Sequence, residues 1–264
     1  MQSIKNNVAW ILAGAMALLL AASWSGIAFS GPLDPPGAPA PSMKTLQEVE
    51  PRTPISSLPY LIRTPGSYYL TSDLSGGSSN GISIVTSGVT LDLNGFALYG
   101  DGFQTADGIA GGAFENAISI LNGRVIGWRT GITFPASSRD VHIDRIQAAN
   151  NGTGIFVASP TSRITDCSAT DNTGLGITTA AGVSIAGCSA TGNGSWGFNL
   201  GDSNAISDCI ASSNGGGIVT GASATIANCT VTGNSGGGIS IGDHGRIEGA
   251  DVTLNVGDGI VAQS

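Results

Sequence analysis

The sequence contains little charge and few aromatic side chains. Of its 264 residues, 11% are charged and 6% are aromatic, and the formal net charge is −8. This negative balance argues against electrostatic association with nucleic acid, which depends on Lys and Arg side chains that neutralise phosphates. Few aromatic residues leave a narrow core, which Ile, Val, Ala and Cys would have to fill.

Glycine is abundant, with 41 residues, and asparagine recurs at a nearly constant period. Six asparagines in the second half of the chain are separated by 21, 21, 21, 20 and 21 residues, and each is followed within five residues by a glycine and a large apolar residue. A constant period of this length is typical of a solenoid. The asparagines are Asn151, Asn172, Asn193, Asn214, Asn234 and Asn255.

Within one repeat, residues 176–196, apolar residues alternate with small residues in three short groups, the period-2 pattern of strands. Glycine-containing turns separate the groups. Three strands and three turns in about 21 residues predict one coil of a parallel β-helix, and about eight or nine such coils would stack at roughly 4.8 Å. The groups are Ile177 with Thr179, Val183 with Ile185, and Cys188 with Ala190.

Stacking explains the asparagine column. Identical positions in neighbouring coils would lie directly over each other, so the asparagine side chains could hydrogen-bond along the stack as a ladder. Asparagine also tolerates the left-handed backbone conformation better than most residues. We therefore interpret the column as structural rather than catalytic.

The four cysteines keep the same period, and Ala250 and Ile146 take their place in adjoining repeats, which indicates a buried packing column. Stacked Cα atoms about 4.8 Å apart would permit disulfides, but the side chains would run parallel rather than face each other. We expect free thiols and no zinc, because the spacing is not that of a C-x-x-C motif. The column is Cys167, Cys188, Cys209 and Cys229.

The repeat resembles the right-handed parallel β-helix family with pectate-lyase-like architecture. It follows the pattern G-I-x-V…V-x-I-x-N/D-C-x-A-x-x-N from about Gly81 to Ser264. The stretch "EPRTPISSLPYLIRTPGSYYLTSDLSGG", followed by "GVTLDLNGFALYG", is similar to the start of secreted bacterial proteins of this type. The resemblance implies an all-β, right-handed, single-stranded parallel β-helix. This architecture hosts polysaccharide lyases, hydrolases, epimerases, adhesins and ice binders, so it does not select an activity.

The amino terminus has the features of a secretory signal. Lys5 precedes an apolar run from Val8 to Ala22, and Ala28-Phe29-Ser30 supplies small residues for cleavage. Residues 1–30 are therefore predicted to be removed from a secreted or extracytoplasmic protein with no membrane insertion after cleavage; the alternative is an uncleaved anchor.

Three further segments follow. Residues 31–42 contain five prolines and predict a stiff linker. Residues 43–80 lack the repeat and are predicted to cap the amino-terminal edge of the β-helix, which residues 81–264 form. The chain stops at Ser264 with a new coil barely begun, so we expect either a fragment or an open last coil.

Charged residues cluster in two adjacent coils, between residues 139 and 172. Our candidate catalytic residues are Asp144, Arg145, Arg163 and Asp166. The family resemblance implies that a lyase would hold Ca²⁺ with acidic residues and use an arginine as base, whereas a hydrolase needs two carboxylates within about 5 to 10 Å. The alternative is a salt-bridge ladder at a turn, with Arg145 over Asp166 and Asp144 diagonal to it. Apart from Ca²⁺ in a lyase, no cofactor is expected.

A second set of polar residues lies along the middle strand. The outward column is expected to contain Asp92, Ser119, His142 and Arg163. Asp92 would lie two coils from His142, about 10 Å away. A catalytic relay needs hydrogen-bond distances, so we interpret this column as solvated surface.

Three functional hypotheses remain. The first, which we favour, is a secreted β-helix protein that binds or processes polysaccharide, with no reaction assigned. The second is a non-catalytic structural or adhesive cell-surface module, because the repeats contain almost no long loops. The third is an ice-binding protein, suggested by paired hydroxyls beside the cysteines, such as Ser168 with Thr170 and Ser189 with Thr191, although Ile210 and Asp251 interrupt the array.

Overall fold

The computed structural model describes residues 51–102 and 105–263, and its regular elements there are 27 short β-strands. The predicted signal peptide, the linker and residues 43–50 lie outside this part of the chain. No helix in the described part is long and apolar enough to span a membrane. The strands are β1 (Thr53–Ile55), β2 (Tyr60–Ile62), β3 (Gly66–Leu70), β4 (Leu74–Ser75), β5 (Ile82–Ile84), β6 (Val89–Asp92), β7 (Ala97–Tyr99), β8 (Asp107–Gly111), β9 (Asn116–Ile126), β10 (Thr130–Phe134), β11 (Arg139–Ala149), β12 (Thr153–Val157), β13 (Arg163–Thr165), β14 (Ser168–Thr170), β15 (Ile177–Thr179), β16 (Ser184–Ala186), β17 (Ser189–Thr191), β18 (Trp196–Leu200), β19 (Ala205–Ser207), β20 (Ile210–Ser212), β21 (Gly216–Thr220), β22 (Thr225–Ala227), β23 (Thr230–Thr232), β24 (Ile239–Ile241), β25 (Arg246–Glu248), β26 (Asp251–Thr253) and β27 (Ile260–Ala262).

The strands form two parallel sheets. A ten-stranded sheet has the order β2-β5-β8-β10-β12-β15-β18-β21-β24-β27, and the other seventeen strands form the second sheet. Most coils contribute one strand to the first sheet and two consecutive strands to the second; in β9 and β11 these two are fused into 11-residue strands. The predicted all-β parallel β-helix with three strand positions per coil is confirmed.

The β-helix contains about ten coils, so the predicted count of eight or nine was too low. Strand β2 pairs in parallel with β5, and β3 pairs with both β1 and β6. Parallel pairing therefore extends back to Thr53, through part of the segment expected to be a cap. Parallel pairing uses backbone groups, so these first coils stack without the asparagine and glycine columns that marked the later ones.

The asparagine column forms a continuous buried ladder. The backbone N–H and Nδ2 of Asn172 donate to Oδ1 of Asn193 at 3.1 and 2.8 Å, and those of Asn193 donate to Oδ1 of Asn214 at 2.9 and 2.8 Å. Each Nδ2 also donates to a carbonyl of the preceding coil, as from Asn193 to Ala169 at 3.0 Å. At the amino-terminal end, the backbone N–H of Trp128 donates to Oδ1 of Asn151 at 2.9 Å. Each side chain thus contacts the coils on both sides of it.

The expected left-handed conformation belongs to other residues. In the turn that carries the ladder, the residue just before each asparagine has a positive φ, between 52° and 79°. Each coil has two further turns, and each of these also contains a residue with a left-handed backbone. Because Gly, Asn and Asp adopt this conformation at least cost, the columns explain much of the composition. The positions before the ladder are Gly127, Asn150, Asp171, Gly192, Ser213, Gly233 and Leu254.

Two inward hydroxyls remain without partners. In the ten-stranded sheet, Thr179 and Thr220 flank Leu200 in one core column, and both Oγ1 atoms are buried without a hydrogen bond. A buried hydroxyl without a partner lowers stability because its hydration is lost and not replaced. These two positions are therefore local defects in an otherwise apolar column.

We predict that Thr179→Val and Thr220→Val each raise the free energy of unfolding by about 1 kcal/mol, because valine has the shape of threonine without the hydroxyl. Urea unfolding followed by circular dichroism would measure the change. Thr178→Val, on the outward side of the same strand, is the control and should be nearly neutral. Destabilisation by both inward substitutions would show that these hydroxyls do form hydrogen bonds.

Candidate functional site

Two of the four candidate residues are held in a structural contact on β11. Arg145 Nη1 lies 2.6 Å from Asp144 Oδ2, and Arg145 Nε donates to Asn122 Oδ1 at 2.8 Å. Asp144 is nearly buried and accepts a 2.7 Å hydrogen bond from Thr165 Oγ1. Arg145 stacks over Asp166 as expected, but its ion pair is with Asp144, its neighbour in sequence, and its other side-chain contact is with the preceding coil.

Asp166 occupies a backbone position that favours aspartate. The residues between the two strand positions of the larger sheet all have φ between 50° and 63°. Asp is enriched in this conformation for steric reasons, so an acidic residue here does not by itself indicate chemistry. The column is Asn122, Arg145, Asp166, Gly187, Asp208, Asn228 and Gly249.

The fourth candidate, Arg163, lies in a surface depression of about 250 Å³ that spans three coils. It stacks between His142 of β11 and Ser184 of β16 on the outward face. Asp140, in the left-handed column that precedes these strands, lies at the edge. The lining residues are Asp140, Val141, His142, Thr161, Ser162, Arg163, Gly182 and Ser184.

Arg163 has no acidic partner, a property that it shares with Arg63, Arg124 and Arg139 among the described residues. Ion pairs bind Arg52 to Asp92, Arg129 to Asp107, Arg145 to Asp144, and Arg246 to Glu248. Across residues 51–102 and 105–263, no ion pair involves Arg163, and its side chain is exposed. A guanidinium without a partner can bind a carboxylate or phosphate with two parallel hydrogen bonds.

The polar column containing His142 differs from the expected one. Ser119 stacks on Thr90, whereas Asp92 stacks on Leu121, in the column of Asp144. The expected placement of Asp92 was therefore wrong by two residues, because irregular turns in the early coils shift the register. His142 Nε2 instead lies 3.3 Å from Thr165 Oγ1. The predicted stacking of Ser119, His142 and Arg163 is confirmed, and the depression adds Asp140 to His142 and Arg163.

The sequence profile of a family described as "Right handed beta helix region" matches residues 107–256. The chain belongs to the right-handed β-helix family. A comparison with curated protein sequences gave no match.

Solved structures resemble the fold of this β-helix protein at low sequence identity. The Dettilon tailspike protein superposes with a TM-score of 0.67 and 13% identity, covering 80% of this chain and 52% of its own. ORF18 of Geobacillus virus E2 superposes with a TM-score of 0.60 and 10% identity, covering 77% of this chain and 52% of its own. The A-module of mannuronan C-5 epimerase AlgE6 from Azotobacter vinelandii superposes with a TM-score of 0.62 and 14% identity, covering 80% of this chain and 70% of its own. This β-helix protein spans about half the length of the first two structures.

The hydroxyl rows beside the cysteine column are stacked in register. Thr191 Oγ1 lies 3.1 Å from Ser212 Oγ, and Thr253 Oγ1 donates to Thr232 Oγ1 at 3.1 Å. Ile210 interrupts the rows and is 48% exposed. Hydroxyls that hydrogen-bond to each other along the stack are partly satisfied within the protein. Together with the interruption at Ile210, this makes the array less regular than the ice-binding hypothesis requires.

The cysteine column lies in the core of this β-helix protein. All four thiols are buried and free. The hydrogen bonds that Cys167 and Cys209 donate to Cys188, together with burial, raise the pKa of both thiols far above the ordinary value. In the described part of the chain, no three His, Cys, Asp or Glu side chains are placed to hold a metal ion. The column packs the interior, and no residue in it reaches the depression around Arg163.

We predict that iodoacetamide at pH 8 leaves all four cysteines unmodified in the folded protein, because their burial in the core keeps the reagent away from the sulfur atoms. Intact mass spectrometry would count the added groups. The same protein in urea should gain four groups. Rapid modification of the native protein would contradict the inward placement of the column.

Proposed function

We propose that this β-helix protein associates with polysaccharide at the depression around Arg163. The supporting observation is the convergence of an unpaired arginine, a histidine and several hydroxyls in a volume of about 250 Å³ on an otherwise weakly charged molecule. Ligand sites commonly combine a concave surface with a few polar groups that fix orientation.

The charges at the site favour an acidic sugar. Arg163 offers a planar guanidinium to a carboxylate, while Thr161 and Ser184 offer hydroxyls to the hydroxyl groups of the same or an adjacent sugar. Asp140 at the edge supplies a hydrogen-bond acceptor. An anionic glycan therefore matches the site better than a cationic or apolar ligand.

The repeat also suits a polymer. Outward positions recur once per coil, about 4.8 Å apart along the stack, which is similar to the length of one sugar residue in an extended polysaccharide. His142, Arg163 and Ser184 occupy three successive positions of this kind. A chain lying along the stack would meet one of these side chains at each step.

The structural relatives are consistent with this proposal. One is a tailspike protein, and another is an epimerase whose name specifies mannuronan, a polysaccharide, as its substrate. At these sequence identities the similarity extends to the fold alone. The proposal therefore depends on the residues of the depression, and secretion depends on the predicted signal peptide at residues 1–30.

No reaction is part of this proposal. Asp144, the candidate acid nearest the site, is ion-paired and nearly buried, and Asp166 lies in a different turn column. If the protein is a lyase, Ca²⁺ dependence is expected. The second candidate function is a non-catalytic adhesive module, favoured by short turns that leave the depression shallow.

We predict that Arg163→Ala weakens binding to an acidic polysaccharide about tenfold or more, because a charged hydrogen bond contributes about 1.5–3 kcal/mol. Isothermal titration of the mature protein with oligogalacturonate, oligomannuronate and neutral cello-oligosaccharides would measure this. Arg163→Lys should recover part of the affinity, since the charge remains without the bidentate geometry.

The matched control is Arg246→Ala. Arg246 lies in the same outward column, four coils away, but is paired with Glu248. Equal losses from both substitutions would indicate nonspecific charge attraction. Absence of binding to every glycan by the unmodified protein would refute the proposed function and favour the adhesive or structural alternative.

A further inference from the structure

Phe114 combines two unfavourable features next to the depression. Its side chain is 76% exposed, and its φ is 72°. Left-handed backbone is a genuine outlier for a bulky residue and is adopted most easily by glycine. Single exposed apolar residues are common on protein surfaces, but an exposed aromatic ring on a strained backbone calls for an explanation.

The turn that carries Phe114 is fixed by neighbours in both adjacent coils. Asn116 accepts a backbone hydrogen bond from Gly88 at 2.9 Å and donates its own N–H to Ser87 Oγ at 2.9 Å. On the other side, Arg139 N–H donates to the carbonyl of Glu115 at 3.0 Å. These contacts hold the backbone around Phe114, so the unusual conformation belongs to an ordered turn.

The residues that flank Phe114 reinforce this arrangement. Glu115 is only 6% exposed, and Ser138 Oγ lies 3.4 Å from its Oε2 and donates to the carbonyl of Gly112 at 3.2 Å. Asn116 Nδ2 lies 3.4 Å from the carbonyl oxygen of Phe114. The carboxylate is therefore turned into the protein while the neighbouring ring is turned out. These contacts fix the backbone from which the exposed ring projects.

Phe114 lies at the amino-terminal end of the depression. Asn116 of β9 pairs with Arg139 of β11, which places Ala117 in the same left-handed column as Asp140 and Thr161. Phe114 is three residues before Ala117, one coil beyond the coil that carries His142. The outward column continues from His142 to Ser119. A polymer that instead follows the left-handed column from Gly182 past Thr161 and Asp140 would next reach Ala117, three residues from Phe114.

We propose that Phe114 is a stacking platform for a sugar ring of the polysaccharide bound at Arg163. This inference rests on the proposed function. One face of a pyranose carries several C–H groups, which pack against the electron-rich face of an aromatic ring, while its hydroxyls remain in water. An aromatic ring at one end and a guanidinium one coil beyond His142 would fix the chain's position along the stack. The ligand class is an acidic oligosaccharide long enough to reach both residues.

The test compares substitutions at Phe114 with one at Phe156, which is partly exposed on the outward face of the ten-stranded sheet. Isothermal titration would use oligogalacturonates and oligomannuronates of two, four and six residues. We expect Phe114→Ala and Phe114→Gly to weaken binding of the longer oligomers about three- to tenfold, as loss of an aromatic contact predicts. Phe114→Tyr and Phe156→Ala should bind as the unmodified protein does.

Thermal unfolding separates this role from a structural one. Phe114→Gly relieves the left-handed strain, so its Tm should equal or exceed that of the unmodified protein while its glycan affinity falls. Phe114→Trp adds a fluorophore whose emission should change when the six-residue oligomer binds. A merely structural residue would instead lose stability and affinity together.

The outcomes distinguish this inference from the proposed function. If the unmodified protein binds glycan, Arg163→Ala loses binding, and Phe114→Ala and Phe114→Gly retain it at every oligomer length, the platform is refuted and the proposed function stands. If no oligomer binds to the unmodified protein, both are refuted. Equal losses from Phe114→Ala and Phe156→Ala would also overturn the platform, since they would show a general effect of removing surface aromatics.

Discussion

The asparagine ladder fixes the register on which the other features of this protein depend. Each Oδ1 accepts two hydrogen bonds from the preceding asparagine, and each Nδ2 reaches the carbonyls of an earlier coil. Coils of 20 and 21 residues keep these bonds, because the turns absorb the difference in length. Loss of a ladder side chain would leave buried donors without partners, at a cost of about 1–3 kcal/mol each. The ladder therefore disfavours slippage, and side chains one period apart remain stacked.

The surface of the molecule follows from this register. Three turns per coil require left-handed residues, and glycine, asparagine and aspartate occupy many of these positions. Several acidic residues that form a charged cluster in the sequence, including Asp166 and Asp171, thereby have a backbone explanation. Arg163 has no such backbone explanation. It lies on a strand, points outward and lacks an acidic partner among the described residues. Its position in the depression distinguishes Arg163 from Arg63, Arg124 and Arg139, which also have no ion pair among the described residues but do not line it.

The sequence predicted the fold well because columns of identical residues report stacking directly. The inward positions of Ile177, Ile185, Cys188 and Ala190 match the structure. The first coils were missed because their strands pair through backbone groups alone and lack the repeated side-chain columns that marked the later coils. Asp92 was misplaced for a related reason, since turns of unequal length shift the register before Ser119.

The candidate site was harder to predict. The sequence identified Arg163 but grouped it with Asp144, Arg145 and Asp166, which contact other parts of the coil. Side-chain direction at a turn depends on φ, which sequence spacing does not specify. The exposure of Phe114 depends likewise on a strained conformation that its residue type would not suggest.

The most direct test of this account is the free energy of unfolding of Asn193→Ala, measured by urea denaturation beside Asn199→Ala. Asn193 lies in the ladder, whereas Asn199 is on the outward side of β18. The account predicts that Asn193→Ala lowers stability by about 3 kcal/mol, because it leaves the buried N–H of Asn172 without an acceptor, and that Asn199→Ala is nearly neutral. Equal, small effects from the two substitutions would contradict the claim that the ladder fixes the coil.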